Sequence, residues 1–325
     1  MIVKDRKIPL KIRKLKALLR RLHHSHPKYS EVEEELAKSL AGFKGEQSLD
    51  YYLRSLPDQE YFIFHDLRLS DGAYFFQIDT LILSTSFILI IEVKNISGTL
   101  IFDPAFQQLI RTNNGMEEVF SDPIQQVNFQ TFKFTEWLKN KHFPAIPIEP
   151  LVVMANSNTI IKTSLHQKLP LQSVIRSTKL LEKIYEYKET HKEEKFSKKD
   201  IRKLCNLLLN WHVPKNFDVL QRFQINRSDL LMGVHCPECK KLSMERKWGK
   251  WVCTTCSFSS RDAHKNALND YFLLFQSSIT NEQFRNFLQL PSSSIAYKLL
   301  TSMNLPHSGT KRWREYDLFF DESIE

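Results

Sequence analysis

Two short segments, residues 77–80 and 91–94, carry acidic side chains on either side of a mainly hydrophobic run. Asp79 stands in the first segment, and Glu92 and Lys94 stand in the second. Mg²⁺ prefers hard oxygen ligands and is commonly held by one or two carboxylates together with substrate phosphate. A water bound to such an ion becomes a stronger nucleophile, and the ion stabilises charge that develops on a phosphate. These residue types therefore predict metal-dependent hydrolysis of a phosphodiester, with Lys94 favouring hydroxide and the transition state.

The spacing of these residues determines how they face one another. Side chains alternate along a β-strand, so Glu92 and Lys94 share one face of their segment. Gln77 and Asp79 share a face of theirs for the same reason. If the segments form a hairpin with residues 85–86 at its tip, Asp79 lies opposite Glu92, with Cβ atoms about 5 Å apart, and Gln77 lies opposite Lys94. Because Thr-Ser is a poor two-residue turn, a longer loop with the same register, or a slipped register, stays open.

An ordinary cross-strand ion pair on a solvated face is the alternative interpretation of this Glu-x-Lys pattern. Two acids that face each other on apolar strands repel and lose hydration, which costs free energy without a counterion. The opposing Asp79 and an acidic residue upstream, Glu46, therefore favour a metal site over a simple ion pair.

The elements that position these residues follow from hydrophobic periodicity. Apolar side chains between Glu46 and Leu56 recur at helical spacing. Frequent β-branched and aromatic residues predict four strands, at residues 61–69, 74–83, 87–94 and 99–102. A helix over residues 123–139, with proline in its first turn, and a short buried strand at 151–154 follow. The predicted order is a helix, three or four strands, a helix and a strand.

The motifs in this order and spacing resemble one family. The sequence reads Gly42-x-x-Gly45-Glu46, Gln77-Ile78-Asp79, Glu92-Val93-Lys94-Asn95-x-x-Gly98 and Pro123-x-x-Gln126. Over roughly residues 40–155 this resembles the nuclease-related domain, NERD, of the PD-(D/E)xK phosphodiesterase superfamily. The resemblance implies an α/β fold with a restriction-endonuclease-like core, in which helices flank a mixed sheet.

The same resemblance implies roles for the site residues. Asp79 and Glu92 would be the metal ligands, with the Val93 backbone carbonyl as a further ligand. Lys94 would be the catalytic lysine, and Glu46 an auxiliary acid that holds a second metal or a water. Two glutamines at family positions would line the site in a supporting role: Gln77 and Gln126. The implied ion is Mg²⁺ or Mn²⁺.

Four of the five cysteines form two Cys-x-x-Cys pairs: Cys236, Cys239, Cys253 and Cys256. Four thiolates complete the closed tetrahedral shell of a structural zinc ion. The pattern resembles a zinc ribbon, with redox thiols or a coincidental cluster as the alternatives. Lysine, arginine and tryptophan between the pairs favour contact with nucleic acid over contact with another protein. Cys205, in an apolar stretch, is predicted to be a small buried hydrophobe.

Changes in composition divide the chain into five predicted parts. These are a basic helical extension (1–40), the nuclease-like domain (41–160), a helical linker region (161–230), the zinc ribbon (231–262) and a helix-turn-helix-like segment (263–325). The last part contains two short helices, capped by Thr280 and by Ser292 or Ser293, and then a basic loop at residues 308–316. A winged helix and a small helical cap on the zinc module are both open. In a winged helix, four side chains would face a DNA groove: Ser293, Ser294, Tyr297 and Lys298.

Composition narrows the class of protein. The formal net charge of +9 favours a polyanionic partner, although a protein can be basic without one. The chain has only 8 glycines and no Walker or Rossmann motif, which disfavours an ATPase or a dehydrogenase. The longest apolar run, residues 81–91, is too short to span a bilayer, and paired cysteines suit a reducing compartment. We therefore expect a cytoplasmic protein that does not bind membranes, with a homodimer left open.

Three functions fit these features. The leading hypothesis is a Mg²⁺-dependent nuclease that hydrolyses phosphodiester bonds in DNA with a metal-activated water. The second is a catalytically inactive DNA-binding or regulatory protein that retains the nuclease fold. The acids and lysine argue against it, because a binding module has no need of such a costly cluster. The third is an enzyme that acts on RNA.

Overall fold

The chain folds into two compact units, each built from two separate stretches of sequence. The computed structural model describes residues 1–163, 173–310 and 313–319. Unit 1 consists of Met1–Ile8 and Lys38–Lys215, and unit 2 consists of Pro9–Ala37 and Asn216–Glu325. Among the described residues, no helix combines the length and the apolar character needed to cross a membrane.

Strands and helices are numbered in chain order. The strands are β1 (Ile2–Lys4), β2 (Phe62–Ser70), β3 (Phe75–Leu83), β4 (Ile88–Lys94), β5 (Thr99–Asp103), β6 (Gln108–Asn113), β7 (Met116–Ser121), β8 (Ile148–Met154), β9 (Ile160–Thr163), β10 (Val174–Arg176), β11 (Met244–Lys247), β12 (Lys250–Cys253), β13 (Ser259–Ser260), β14 (Ser278–Thr280), β15 (His307–Ser308) and β16 (Glu315–Asp317). The helices are α1 (Leu10–Arg21), α2 (Tyr29–Ser48), α3 (Asp50–Leu53), α4 (Pro123–Asn140), α5 (Leu180–Thr190), α6 (Lys198–Trp211), α7 (Val219–Phe223), α8 (His264–Leu274), α9 (Asn281–Leu288) and α10 (Ser293–Ser302).

A six-stranded mixed sheet, in the order β1-β2-β3-β4-β8-β10, forms the centre of unit 1. β2, β3 and β4 are antiparallel neighbours, whereas β1 is parallel to β2 and β8 is parallel to both β4 and β10. One hydrophobic core joins the sheet to α4 and α6, and a second joins its other face to α3 and α5. Because both faces are covered, β4 is apolar at consecutive positions rather than alternating. This confirms the predicted α/β class, with helices flanking a mixed sheet.

The hairpin of β3 and β4 has the predicted register. Its ladder pairs Thr80 with Ile91 and Leu83 with Ile88. The Ser84 side chain closes the turn, because its Oγ accepts a hydrogen bond from the Phe87 amide (3.0 Å) and donates one to the Phe87 carbonyl (2.7 Å). The serine hydroxyl thus adds hydrogen bonds across the turn, which compensate for the unfavourable Thr-Ser sequence at its tip.

Three parts of unit 1 differ from the sequence-based expectation. β6 and β7 were not predicted. They join β5 and β9 in a second sheet, ordered β7-β6-β5-β9, and the largely exposed β7 shows no alternation of apolar residues. β1 lies in the part predicted to be helical, and its three residues are too few to show a periodicity. The helix predicted from Glu46 to Leu56 is instead the end of α2 followed by α3.

Unit 2 combines a small helical core with two three-stranded sheets. α1, α7 and α8 pack together through residues such as Leu15, Phe223 and Leu273. β11, β12 and β13 form an antiparallel sheet that carries the cysteines. β14, β16 and β15 form the other sheet, in that spatial order, and α9 and α10 lie between β14 and β15 in the chain. Thr280 and Ser292 cap these two helices, as predicted, through their side-chain oxygens.

A buried ion pair connects the two stretches of sequence that make unit 2. Arg21 of α1 is fully buried, and its Nε donates to Asp270 of α8 at 2.8 Å. Its Nη1 donates to the carbonyl oxygens of Leu231 (3.2 Å) and Gly233 (2.7 Å). The more exposed Arg20 donates to the other Asp270 oxygen at 2.6 Å. The basic helix near the N-terminus therefore uses both arginines within the fold of unit 2.

Replacing Arg21 with alanine should destabilise unit 2 by about 3–5 kcal/mol, because the substitution deprives the buried Asp270 carboxylate of its buried partner. Lys28→Ala is the matched control. It removes an exposed pair with Glu31, which is worth at most about 1 kcal/mol. Urea unfolding of both variants, followed by circular dichroism, measures the difference. Equal losses in the two variants would contradict a structural role for the buried pair.

Candidate active site and metal centre

The two acids of the hairpin stand where the β3–β4 ladder ends. Thr80 pairs with Ile91, so the next positions along the strands are Asp79 and Glu92. Asp79 is half-buried, and its Oδ2 accepts a hydrogen bond from the backbone amide of Val93 at 3.0 Å. Glu92 is 2% exposed. The hairpin therefore places the two acids at neighbouring positions just past its last paired residues, in the predicted register.

Glu92 is held by side chains from its own strand and from α4. Its Oε1 accepts from Lys94 Nζ at 2.6 Å, and its Oε2 accepts from Gln130 Nε2 at 2.8 Å. Lys94 Nζ also donates to Gln126 Oε1 at 3.0 Å. Glu92, Lys94 and Gln126 are thus joined in one hydrogen-bonded network.

Gln130 is the residue of this network that the sequence analysis missed. It is 5% exposed, and its Oε1 is buried without a hydrogen-bond partner among the described residues. It lies four residues after Gln126, and positions i and i+4 of a helix share a face. That spacing could have identified it. Gln77 was predicted to lie opposite Lys94. It is instead exposed and donates a hydrogen bond to Asp66 Oδ1 at 2.8 Å, and Lys94 contacts other side chains.

Glu46 reaches this part of the molecule because α2 packs closely against the end of β4. A Cβ added to Gly45 would lie 2.3 Å from the Asn95 Cβ, so only glycine permits this approach. Asn95 Nδ2 donates to the Ala41 carbonyl at 2.7 Å and fixes the contact. The motif residues Gly45 and Asn95 therefore hold α2 against the end of β4, and this contact positions the Glu46 side chain.

The Glu46 carboxylate is paired with a cation that the sequence analysis did not consider. Its Oε2 lies 2.6 Å from Nη1 of Arg6, whose side chain is 3% exposed. Arg6 lies outside the motifs and forty positions from Glu46, so local spacing could not have linked the two.

Burial and mutual repulsion make this group of acids costly without added positive charge. Burial raises the pKa of Asp79 well above its usual range, and the charges of Glu92 and Glu46 raise it further. Burial raises the pKa of Glu46 to about 7, although Arg6 opposes the shift. A divalent cation relieves both effects, and hard carboxylate oxygens are suitable donors for Mg²⁺ or Mn²⁺. The residues present therefore fit a single ion held by Asp79 and Glu92.

The four paired cysteines converge in unit 2. Within residues 1–163, 173–310 and 313–319, they are the only group of three or more histidine, cysteine or acidic side chains whose ligand atoms all lie within 4.8 Å of one another. Cys236 Sγ lies 3.6 Å from Cys256 Sγ, and Cys239 Sγ lies 3.6 Å from Cys253 Sγ. Zn–S bonds of about 2.3 Å in a tetrahedron give sulfur separations of about 3.8 Å, so the sulfur atoms fit zinc.

Two backbone turns of the same design present these thiols. In each turn the amide of the first cysteine donates to a carbonyl five residues later, Lys241 or Phe258, at 2.8 Å. The residue four positions after that cysteine, Lys240 or Ser257, has a left-handed backbone (φ 61° and 59°). The Ser243 hydroxyl, followed by backbone amides, lowers the pKa of the Cys253 thiol to about 5, which favours the thiolate that binds zinc.

The free cysteine and the nearby histidine have other environments. Cys205 is buried in the hydrophobic core of unit 1, as predicted, and burial raises the pKa of its thiol to about 11. His264 is buried, and its Nδ1 accepts a hydrogen bond from Trp251 Nε1 at 3.1 Å. It therefore packs beside the zinc module, and the cysteine cluster does not include it.

Comparison with known proteins identifies one segment of the chain. Residues 41–155 match the family model of the nuclease-related domain, NERD. This segment contains the hairpin acids, the lysine and the α4 glutamines, and it is a nuclease-related domain, as the motifs indicated. No curated protein and no solved structure matches the chain.

The cysteine geometry predicts about one zinc ion per chain by elemental analysis. Cys253→Ser should abolish binding, since three ligands no longer close the shell, and should unfold the β11–β13 sheet. Cys205→Ser is the matched control, because that thiol lies in unit 1, and it should leave the zinc content unchanged. A zinc-free wild-type protein with a folded sheet would contradict the assignment.

Proposed function

We propose that this protein is a divalent-metal-dependent nuclease that hydrolyses phosphodiester bonds in DNA, with its active site in unit 1. One observation carries the proposal. Asp79 and Glu92 follow the last paired positions of the β3–β4 ladder inside the nuclease-related domain, and the ammonium group of Lys94 lies 2.6 Å from the Glu92 carboxylate. Such a cluster is expensive to fold, and metal-assisted hydrolysis gives it a use.

Asp79, Glu92 and the Val93 carbonyl would hold the ion, Mg²⁺ or Mn²⁺. When bound, the ion would supply a water that loses its proton more readily and so becomes a nucleophile at neutral pH, and a positive charge that stabilises the phosphate in an in-line displacement. The Val93 amide keeps the Asp79 carboxylate fixed at the end of the ladder. Gln130 fixes the second Glu92 oxygen in the same way.

Lys94 would provide the positive charge next to the reacting phosphate. Glu92 and Gln126 both accept hydrogen bonds from its Nζ, so the ammonium group has a defined position before substrate binds. A preorganised cation stabilises a transition state without a reorganisation cost. Glu46 would act as the auxiliary acid, through its charge, because its carboxylate is engaged by Arg6.

A catalytically inactive DNA-binding protein and an RNA-directed enzyme are the competing proposals. The network around Glu92 favours catalysis over binding alone, because a purely binding domain gains nothing from repelling buried acids. Four unbridged cysteines arranged for zinc support a reducing compartment such as the cytoplasm.

Asp79→Ala and Lys94→Ala should each lower cleavage of plasmid and linear DNA in Mg²⁺ or Mn²⁺ by about two to three powers of ten, the scale of losing a main electrostatic stabiliser. EDTA should abolish cleavage by the wild type. Gel shifts should show that both variants still retain DNA. Matched controls are Glu136→Ala and Lys139→Ala, an exposed pair on α4, which should cleave like the wild type.

The other outcomes identify the competing functions. A wild-type protein that binds DNA and never cuts it would support the inactive binder. Full activity in the Asp79 and Lys94 variants would place the active site elsewhere. Cleavage of a single-stranded or duplex RNA in preference to DNA would support the RNA-directed enzyme.

We further propose that the C-terminal part of unit 2 is a winged helix that binds duplex DNA. The order α8, β14, α9, α10, β15, β16, with β16 between the other two strands, supports this because it is the order of a winged helix. On α10, four side chains are exposed and form a polar face: Ser293, Ser294, Tyr297 and Lys298. In the basic loop that follows, Lys311 and Arg312 lie outside the described residues.

Lys298→Glu should weaken binding of a 20-base-pair duplex about tenfold, because a phosphate contact is lost. For the same reason the negative slope of log K against log salt should become shallower by about one. Lys28→Glu, another exposed lysine of unit 2, is the control and should change both quantities much less. Fluorescence anisotropy at several salt concentrations measures them. An unchanged affinity and slope for Lys298→Glu would support the helical cap instead.

A further inference from the structure

The first residues of the chain belong to unit 1 although they lie outside the matched family segment. β1 pairs with β2 at the edge of the main sheet, with Ile2 beside Ile63 and Lys4 beside Phe64. Lys4 Nζ donates to the carbonyl oxygens of His65 (2.7 Å) and Asp66 (2.9 Å). β1 thus fixes the chain two residues before Arg6.

Arg6 is surrounded by acceptors inside unit 1. Its Nη1 donates to Glu46 (2.6 Å), and its Nε and Nη2 both donate to Asp50 Oδ1 (3.2 Å each). Its Nη2 also lies 2.8 Å from His65 Nδ1 and 3.4 Å from Thr80 Oγ1. The side chain is 3% exposed, so these contacts replace water almost completely. An arginine that is buried with this many partners is an integral part of the acidic site.

Arg6 is a permanent cation, whereas the histidine beside it is not. A guanidinium group only donates, so His65 Nδ1 must accept and the imidazole is neutral. Burial, followed by the charge of Arg6, lowers the pKa of His65 to about 3. Arginine stays protonated at any physiological pH and presents a rigid planar set of donors.

The charges around the site leave room for one divalent ion. Five carboxylates belong to the group: Glu46, Asp50, Asp66, Asp79 and Glu92. Arg6 is paired with Glu46 and Asp50, Lys94 is paired with Glu92, and Lys4 lies beside Asp66. The three cations leave two negative charges, which a single divalent ion cancels.

We propose that Arg6 takes the place of a second divalent ion beside Glu46 and Asp50, so that the nuclease site binds one ion, between Asp79 and Glu92. The inference rests on the proposed metal site. Arg6 is a positioning residue in this account, because it acts on the acids and not on the substrate. Its removal would leave two half-buried carboxylates without a cation, which creates a second place for a metal ion.

The test is the number of Mn²⁺ ions bound by the full, zinc-loaded chain, measured by electron paramagnetic resonance titration. The wild type should bind one Mn²⁺. Arg6→Met, which keeps length and loses charge, should bind two, and adding Glu46→Gln should return the number to one. Arg6→Lys keeps the charge and should bind one. One Mn²⁺ in a folded Arg6→Met variant, or two in the wild type, would overturn the proposal.

Two conservative variants keep the test decisive if Arg6→Met does not fold. Glu46→Gln should still bind one Mn²⁺, about tenfold more weakly, because the site loses one negative charge while Arg6 keeps its positive charge on Asp50. Unchanged or tighter binding contradicts the role given to Arg6. Asp79→Asn should bind no Mn²⁺ at this site. If Asp79→Asn binds Mn²⁺ normally, the proposed function itself fails. If Asp79→Asn loses Mn²⁺ binding but Arg6→Met still binds only one Mn²⁺, this inference alone is refuted.

Discussion

Carboxylates inside a protein must be matched by positive charge, and the structure of unit 1 is arranged around that requirement. Asp79 and Glu92 lie just past the last pair of the β3–β4 ladder, and the residues on either side of each are buried, so water cannot solvate them well. Lys94, Gln130 and the Val93 amide satisfy part of this demand. Arg6 satisfies another part at Glu46. What is left is negative charge that suits a divalent ion, and the proposed chemistry follows from it.

The hairpin and the cysteine cluster could be predicted because their signals are local. In β3 and β4 a run of apolar residues interrupted by acids indicates buried strands, and strand alternation then gives the faces. The predicted register proved correct, with Ser84 closing a turn whose sequence looked unfavourable. Two Cys-x-x-Cys pairs need only two similar turns to bring four sulfur atoms together, and the structure contains both turns.

The rest of the site depends on contacts between distant residues, which periodicity does not reveal. Arg6 reaches Glu46 only because β1 adds to the edge of the sheet, and three residues are too few to predict that pairing. Gln77 was expected near Lys94 but bonds to Asp66, whose left-handed backbone (φ 50°) lies between the paired stretches of β2 and β3. β7 was missed because an exposed strand carries no hydrophobic alternation.

The position of a bound ion tests the central claim most directly. Crystals of the zinc-loaded protein soaked in Mn²⁺ can be measured at the manganese absorption edge. We predict one anomalous peak in unit 1, about 2.1–2.2 Å from an oxygen of Asp79 and an oxygen of Glu92, with Arg6 still on Glu46. No peak between these carboxylates at saturating Mn²⁺, or a peak bound elsewhere in unit 1, would contradict the account.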